Sequence, residues 1–247
     1  MLDTYILFLL FPLLSFVLQI SFGKRIGRNA HYISLILIGL MLIQSLYVFS
    51  QVINEHGPVI DNIFDWFQTA GLFSFEIGMK IDEISSIMLI IVSLISFLVH
   101  LYSTEYMKED PRYTRYFAYL GLFTFSMNGI VLAPSLIMMY VFWELVGLSS
   151  YLLIGFWFEK DSASEACKKA FLVNRVGDIG MFLGIMIIFF QVHTLGFDNI
   201  TSGVAAGAFS GNEQLLTLAG VLVFFGAVGK SAQFPLHIWL PDAMEGP

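Results

Sequence analysis

The feature that most constrains this chain is a series of long segments without charge. Asp, Glu, Lys and Arg are absent from residues 4–23, 29–54, 84–104, 179–197 and 214–229, and residues 116–158 contain one charge, Glu144. A helix that crosses a lipid bilayer needs about 20 predominantly apolar residues. Because several of these segments reach that length, we expect the chain to cross a bilayer repeatedly.

Composition excludes several other classes of protein. The 247-residue chain is 57% hydrophobic and only 13% charged, whereas soluble domains carry about 25% charged residues. This balance argues against a soluble enzyme and against a disordered chain. The net charge of −7, without a large basic cluster, argues against nucleic-acid binding. One cysteine and scattered histidines predict no metal site.

We predict seven transmembrane helices, near residues 4–22, 32–52, 84–103, 116–132, 135–157, 169–191 and 214–240. Pro134 separates the fourth from the fifth, and Pro235 interrupts the seventh because proline removes a backbone hydrogen bond. The segments are longer than barrel strands and do not alternate apolar with polar residues. The predicted fold class is therefore all-α: a polytopic transmembrane helix bundle of about seven helices, the last one broken.

The distribution of basic residues predicts the orientation of the bundle. The loops after the first, third and fifth helices hold nine basic residues, namely Lys24, Arg25, Arg28, Lys108, Arg112, Arg115, Lys160, Lys168 and Lys169. The loops after the second, fourth and sixth helices hold only Lys80. Because basic loops stay on the cytoplasmic side, we predict that the N-terminus lies on the outer side.

Two segments outside the helices carry their own predictions. The loop 54–83 contains the alternating run Phe73–Ile77, which is typical of a short β-hairpin. The chain stops at Pro247, directly after the broken helix and without a polar tail. We therefore expect the sequence to be the N-terminal part of a longer protein.

Three ionisable side chains lie within the predicted membrane helices. Glu144 is about 14 Å along its helix, near the middle of a roughly 30 Å hydrocarbon core, and Asp178 lies at similar depth. Lys230 follows 16 uncharged residues of the seventh helix. Each such group costs about 2.5–3.5 kcal/mol. One interpretation is a proton relay in which Glu144 and Lys230 form a coupled pair; the other is that all three make static contacts between helices.

Two further features surround these charges. Arg175 lies three residues before Asp178 on the same helix face, so the two could pair locally. This favours a structural role for Arg175 and leaves the role of Asp178 open. Glycines and prolines around Lys230 predict a broken helix beside a hydrated path, with a proline kink for packing as the alternative.

Four motifs resemble those of the largest antiporter-like membrane subunit of respiratory complex I, an NADH:quinone oxidoreductase. The motifs are Tyr102–Met107, Val141–Phe156 (VFWELVGLSSYLLIGF), Lys169–Asp178, and Gly226–Leu236 with Trp239–Met244. The similarity covers most of residues 70–247. Residues 1–65 resemble the family only in having two helices and an outer loop.

The resemblance implies a subunit that translocates protons while other subunits carry out the redox reaction. Glu144 and Lys230 match the family's proton-relay pair, and Arg175 and Asp178 match residues with weaker roles. NADH, FMN, iron–sulfur clusters and quinone would be held by other subunits, with no cofactor in this chain. Residues 1–115 would form the N-terminal helices, and residues 116–247 would form the first antiporter-like half-channel, incomplete at its C-terminal end.

Two alternatives remain open. The chain could belong to a multi-subunit Na⁺/H⁺ antiporter, which shares the glutamate–lysine architecture, or it could be a membrane scaffold without transport activity. If the chain is the complex I subunit, its partners are the other membrane-arm subunits of complex I, the lipid bilayer and protons. We expect a multi-pass protein of the bacterial plasma membrane, with the mitochondrial inner membrane or the thylakoid as alternatives.

Overall fold

The computed structural model describes the backbone of residues 5–55, 60–69 and 73–247, and the side chains of residues 5–54 and 76–247. In these residues the long helices are α1 (Leu7–Ile26), α2 (Ala30–Glu55), α3 (Glu83–Tyr106), α4 (Tyr113–Leu132), α5 (Leu136–Ile154), α6 (Asp161–Val192) and α8 (Glu213–Lys230). The short helix α7 (Phe197–Ala205) lies between α6 and α8. Three 3₁₀ turns complete the helical structure, at Gly27–Asn29, Leu236–Trp239 and Asp242–Glu245. The seven long helices correspond to the seven predicted spans, so the all-α prediction is confirmed.

Between α2 and α3 the chain forms a two-stranded hairpin, from β1 (Ile60–Thr69) and β2 (Phe73–Ile81). The hairpin predicted from the alternating run at Phe73–Ile77 is therefore confirmed. Directly after it, Asp82 and Ser85 form a capping box: the Asp82 carboxylate accepts from the Ser85 backbone N–H at 2.8 Å, and the Ser85 hydroxyl accepts from the Asp82 N–H at 2.7 Å. This reciprocal bonding satisfies free N–H groups at the start of α3.

In the described residues five helical stretches are long and apolar enough to cross a membrane: Leu7–Asn54, which contains α1 and α2, and the helices α3, α5, α6 and α8. Helix α4 is the exception, because it carries polar side chains such as Thr124, Ser126 and Asn128. All three are buried and make hydrogen bonds to backbone carbonyls. The hydroxyl groups of Thr124 and Ser126 and the amide nitrogen of Asn128 are thus satisfied by protein, which lowers the cost of placing them in a bilayer.

The chain forms two compact units. Unit 1 comprises Met1–Asn62 and Met79–Leu132, and unit 2 comprises Ile63–Gly78 and Ala133–Pro247. By its contacts α4 therefore packs with the N-terminal helices. The functional division proposed from the sequence, after residue 115, concerns the half-channel and stays a prediction.

Unit 1 contains a proline inside a membrane helix, and a side chain from another helix compensates for it. Pro12 in α1 has no N–H, so the carbonyl of Phe8 loses its helical partner. Asn128 of α4 donates its Nδ2 to that carbonyl at 2.9 Å. Asn128 is fully buried, so this bond joins α1 to α4 inside the unit.

Unit 2 is built on the close approach of α6 and α8, which glycines make possible. A Cβ added at Gly184 would lie 2.7 Å from the carbonyl oxygen of Ala219, and one at Gly177 would lie 3.2 Å from the Cα of Gly229. Real Cβ atoms essentially never lie as close as the first distance, and the second is tighter than most real contacts, so the two backbones pack in direct contact. This contact sets the distance between the charged residues of α6 and Lys230, which is the last residue of α8.

The seventh predicted span, 214–240, is broken as predicted, but the helix ends before the predicted position near Pro235. Helix α8 ends at Lys230, five residues earlier, in a Schellman motif. The Gln233 N–H donates to the Val228 carbonyl at 3.0 Å, and the Ala232 N–H donates to the Gly229 carbonyl at 3.2 Å. Ala232 has a φ of 49°, the left-handed conformation that closes this motif. The helix therefore stops because of its own C-terminal hydrogen bonds, and a cis peptide at Phe234–Pro235 follows.

The other helix boundaries differ from the predictions by a few residues, with two larger differences. Helix α6 begins at Asp161, eight residues before the predicted start at 169, so that Lys168 and Lys169 are helical. Helix α7 was not predicted. It has only nine residues, too few to cross a membrane.

Candidate functional site

The charged residues singled out from the sequence meet in unit 2. Helix α5 contributes Glu144, which forms an ion pair with Arg175 of α6. The two side chains are 24% and 27% exposed, so the pair is largely shielded from its surroundings. Arg175 also stacks over the ring of Phe171, with 4.6 Å between its guanidinium carbon and the ring centroid. The guanidinium is thus held by the carboxylate of Glu144 on α5 and by the ring of Phe171 on α6, its own helix.

Asp178 is the most deeply buried charge of the group, at 1% exposure. Its Oδ1 accepts a hydrogen bond from the indole Nε1 of Trp143 at 2.8 Å. Its Oδ2 lies 3.8 Å from Nη1 of Arg175, one turn earlier on the same helix. A buried carboxylate needs such partners, because an uncompensated charge in a low-dielectric interior is costly.

Lys230 approaches the same group from the end of α8. Its Nζ is buried and has no hydrogen-bond partner among the residues with described side chains. A Cβ added at Gly147 would lie 2.7 Å from this Nζ and 3.3 Å from Nη2 of Arg175. The two cations therefore contact the same place on α5, one turn after Glu144, and only glycine leaves room for them.

The site is formally neutral, with two carboxylates and two cations from three helices. Several of its buried polar atoms have no hydrogen-bond partner in the described part of the chain, namely Glu144 Oε1, Asp178 Oδ2, Arg175 Nε and Lys230 Nζ. Buried charges are tolerated only when they compensate one another. In addition, the C-terminal end of a helix favours a cation such as Lys230. The two carboxylates and the two cations therefore compensate one another's charge within the cluster.

The structure brings all four predicted site residues together. Arg175 lies within ion-pair distance of Asp178, as expected, but Glu144 and Lys230 do not form the predicted pair. Glu144 contacts Arg175 directly. Lys230 makes no ion pair within 4.0 Å with any acidic side chain that the structure describes. Arg175, for which the sequence favoured a structural role beside Asp178, is the residue that joins the glutamate to the rest of the cluster. The functional roles of the four residues stay predictions.

Two members of the site were missed at the level of the sequence. Trp143 directly precedes Glu144. A buried indole N–H requires an acceptor, so this tryptophan was a signal that a hydrogen-bond acceptor lies nearby. Gly147 lies three residues after Glu144 and so on the same helix face. A glycine there is costly for a helix unless something must approach closely. The predicted absence of a metal or cofactor in this chain stays a prediction.

Comparison with known proteins identifies the family. Residues 133–247 match the family model described as the transmembrane domain of NADH:quinone oxidoreductase and Mrp antiporters. Residues 66–117 match the model for the N-terminus of complex I chain 5. The chain belongs to this family of antiporter-like membrane subunits. The resemblance drawn from the motifs is thereby confirmed, and the chain is an integral membrane protein.

Curated relatives agree with the family models. Subunit 5 of the chloroplast NAD(P)H-quinone oxidoreductase of Chlorokybus atmophyticus is 47% identical, over 87% of this chain and 34% of the relative. Chain 5 of the NAD(P)H-quinone oxidoreductase of Synechocystis is 44% identical, over 92% of this chain and 34% of the relative. The chain thus spans about a third of the length of these relatives.

Two solved structures share the fold. One is the membrane-bound sulfane sulfur reductase, an archaeal respiratory membrane complex, with a TM-score of 0.80 at 20% identity over 96% of this chain and 46% of the other. The second is the Mrp complex of Dietzia, with a TM-score of 0.80 at 23% identity over 98% of this chain and 25% of the other. At these identities the similarity shows the fold alone.

Proposed function

We propose that this chain is the N-terminal part of a proton-translocating membrane-arm subunit of an NAD(P)H:quinone oxidoreductase. The observation that carries the proposal is the neutral cluster of Glu144, Arg175, Asp178 and Lys230, buried where three membrane helices meet. Static contacts between helices need only one ion pair, whereas this cluster holds two pairs and leaves the ammonium of Lys230 without a direct partner among the described side chains. Intramembrane ionisable groups of this kind are functional by default.

Within the proposed relay, Lys230 is the residue that exchanges the proton. Arg175 is always charged, so it cannot deliver one, but its guanidinium lies against both Glu144 and the position at Gly147 that Lys230 contacts. A conformational or electrostatic signal from the rest of the complex would change the Glu144–Arg175 contact. Lys230 would then release its proton to the downstream path and receive another from the inner side of the membrane.

The remaining functions of the complex belong to other subunits in this proposal. NADH, FMN, iron–sulfur clusters and quinone would be bound elsewhere, and other membrane-arm subunits would be the partners of this chain. The relatives are named as subunits of such an oxidoreductase, which supports the assignment. We further propose that the N-terminus lies on the outer side and that the membrane is the bacterial plasma membrane. Because the relatives come from chloroplasts, a chromatophore and a cyanobacterium, the thylakoid is the first alternative.

The proposal is tested with Glu144→Gln and Lys230→Ala in the full-length protein, within the assembled complex in sealed membrane vesicles. We expect both variants to lower proton uptake driven by NAD(P)H oxidation, at normal levels of assembled complex. Lys168→Ala is the matched control, since this lysine is 58% exposed and pairs with Glu165 one turn away. Unchanged proton uptake in both variants would exclude the relay.

A second candidate is a subunit of a multi-subunit Na⁺/H⁺ antiporter. The family model includes Mrp antiporters, and the Mrp complex shares the fold. The two candidates differ in their driving force. Proton movement that responds to an imposed Na⁺ gradient without any electron donor would favour the antiporter, whereas movement that requires NAD(P)H and quinone favours the oxidoreductase.

A further inference from the structure

The segment after α8, residues 231–247, is bonded to α6 by two polar contacts. The Nζ of Lys169 lies 2.6 Å from Oδ2 of Asp242. The hydroxyl of Ser162 donates to Oε2 of Glu245 at 3.0 Å. Both acids belong to the last 3₁₀ turn, and both partners lie in the first three turns of α6. The turn is therefore held against that part of the helix.

Trp239 lies in the same segment and is held by apolar contacts as well. Its half-buried ring packs against a cluster of side chains from α5 and α6, namely Ile154, Ala166, Cys167 and Ala170. Asp242 follows three residues after Trp239, so the ion pair with Lys169 and the apolar contacts hold one short stretch of backbone. The ring is thus fixed by the two helices that also carry Glu144 and Arg175.

The indole of Trp239 reaches the end of α8. Its Nε1 donates to the backbone carbonyl of Gly229 at 3.0 Å. The same carbonyl accepts the N–H of Ala232 at 3.2 Å, so both of its lone pairs are used. A peptide unit is planar, and this carbonyl belongs to the peptide that joins Gly229 to Lys230. The tryptophan therefore fixes the backbone from which the Lys230 side chain starts.

Close packing confines the same glycine. A Cβ added at Gly229 would lie 3.3 Å from the Cα of Gly177 on α6, and 3.6 Å from Cδ1 of Leu236 in the segment after α8. The last turn of α8 is therefore held by backbone contact with α6 and by the hydrogen bond from Trp239.

The position of this turn matters because the ammonium of Lys230 has little room. Its Nζ lies 2.7 Å from the place that a Cβ at Gly147 would occupy, and Nη2 of Arg175 lies 3.3 Å from the same place. A displacement of the Lys230 backbone by a few tenths of an ångström would therefore change the distance between the two cations.

We propose that Trp239 is a positioning residue for the proton relay: its indole N–H holds the end of α8 so that the ammonium of Lys230 stays beside Gly147. Trp239 acts through the backbone of Gly229 and exchanges no proton itself. This inference rests on the proposed role of Lys230 in proton translocation. The position of the lysine can nevertheless be measured apart from that role.

The experiment is Trp239→Phe in the full-length protein, within the assembled complex in sealed membrane vesicles. Phenylalanine keeps an aromatic ring against the apolar cluster and removes the N–H donor. Hydrogen exchange detected by mass spectrometry measures the opening of the end of α8, through the amides of Ser231, Ala232 and Gln233, which bond to its last carbonyls. We expect exchange of these amides to be about fivefold faster, the effect of one lost hydrogen bond.

Trp157→Phe is the matched control. Trp157 lies between α5 and α6, and the Nζ of Lys160 is 4.6 Å from the centroid of its ring. Because phenylalanine keeps an aromatic ring below that ammonium, hydrogen exchange at the end of α8 and proton uptake should stay as in the wild type.

Proton uptake driven by NAD(P)H oxidation is the second measurement. Trp239→Phe should lower uptake at a normal level of assembled complex and should shift its dependence on pH, because a displaced ammonium has different neighbours. A purely structural role would lower uptake through loss of assembled complex, and so equally at every pH. In a Lys230→Ala background the same substitution should have no further effect, since no ammonium is left to position.

The ion pair between Lys169 and Asp242 gives a variant that leaves the indole unchanged. Asp242→Lys places two cations side by side and should also speed exchange at the end of α8. Combining it with Lys169→Asp restores an ion pair with the charges reversed and should return exchange towards the wild-type rate. Wild-type exchange in both Asp242→Lys and an assembled Trp239→Phe complex would overturn the proposal.

The outcomes separate this inference from the proposed function. If Lys230→Ala lowers proton uptake while Trp239→Phe changes neither uptake nor its pH dependence, the positioning role is overturned and the relay stands. If Lys230→Ala itself leaves uptake unchanged, the relay is contradicted and so is a role of Trp239 in it. Hydrogen exchange would still decide whether Trp239 holds the end of α8.

Discussion

Arg175 is the ion-pair partner of Glu144, across the interface of α5 and α6. The lysine that the sequence suggested as the partner, Lys230, instead contacts the glycine one turn further along α5. The glutamate and the lysine are therefore joined through a residue that keeps its charge at all times. In this arrangement any movement of the guanidinium changes the surroundings of both groups.

The Glu144–Arg175 pair gives the first prediction. Arg175→Gln leaves a shielded carboxylate without its cation and should destabilise the protein by about 1–3 kcal/mol, less than for a fully buried pair because both side chains are about a quarter exposed. The double variant Glu144→Gln with Arg175→Gln should recover most of the loss. Thermal unfolding of the detergent-solubilised protein measures both effects. Additive losses in the double variant would show that the pair does not contribute as a pair.

Gly147 gives the second prediction. Gly147→Ala places a methyl group 2.7 Å from the ammonium of Lys230, so the lysine must move and proton translocation should fall. Helix α5 itself should tolerate the alanine, which is a better helix former than glycine. The control is Gly220→Ala on α8, where an added Cβ meets nothing within 4 Å among the described residues. Equal proton translocation by the two variants would show that the space at Gly147 is not needed for the position of Lys230.

The indole of Trp143 gives the third prediction. Trp143→Phe removes the donor to a fully buried carboxylate and should cost about 1.5–3 kcal/mol of stability, as for hydrogen bonds to charged groups. In an Asp178→Asn background the same substitution should cost less, because the acceptor is then neutral. Unfolding of the four proteins measures this difference. An equal cost in both backgrounds would mean that Trp143 contributes only by packing.

The proline of α1 gives the fourth prediction. Asn128→Ala leaves the Phe8 carbonyl without a partner and should destabilise the protein by about 1–3 kcal/mol. In a Pro12→Ala background the loss should be smaller, since alanine restores a backbone N–H that can bond to that carbonyl. The check is again thermal unfolding of the solubilised protein. A loss of the same size in both backgrounds would contradict the compensation.

The number and type of the long helices could be predicted from the sequence because charge is so costly in a bilayer. The same reasoning identified Glu144, Asp178 and Lys230. It could not supply the partners, because Arg175 lies far from Glu144 along the chain and their contact depends on how α5 packs against α6. Spacing along one helix linked Arg175 only to Asp178.

The end of α8 shows a second limit. Proline is a strong local signal, so the sequence predicts the break near Pro235. The helix instead ends at Lys230, through hydrogen bonds in which Ala232 takes the left-handed conformation. Glycine usually occupies that position. Because the residue here is alanine, the sequence does not indicate that the helix ends there. The result places Lys230 in the last turn of the helix rather than in its interior.

The central claim is that Lys230 itself gives up and regains a proton, and Lys230→Arg tests it most directly. Arginine keeps the positive charge at this position but does not deprotonate in proteins. The measurement is the number of protons taken up per electron transferred from NAD(P)H to quinone, in vesicles containing the assembled complex. The account predicts a lower ratio in Lys230→Arg, with assembly and electron transfer retained. A ratio equal to that of the wild type would show that a permanent charge suffices, and Lys230 would then not be the residue that carries the proton.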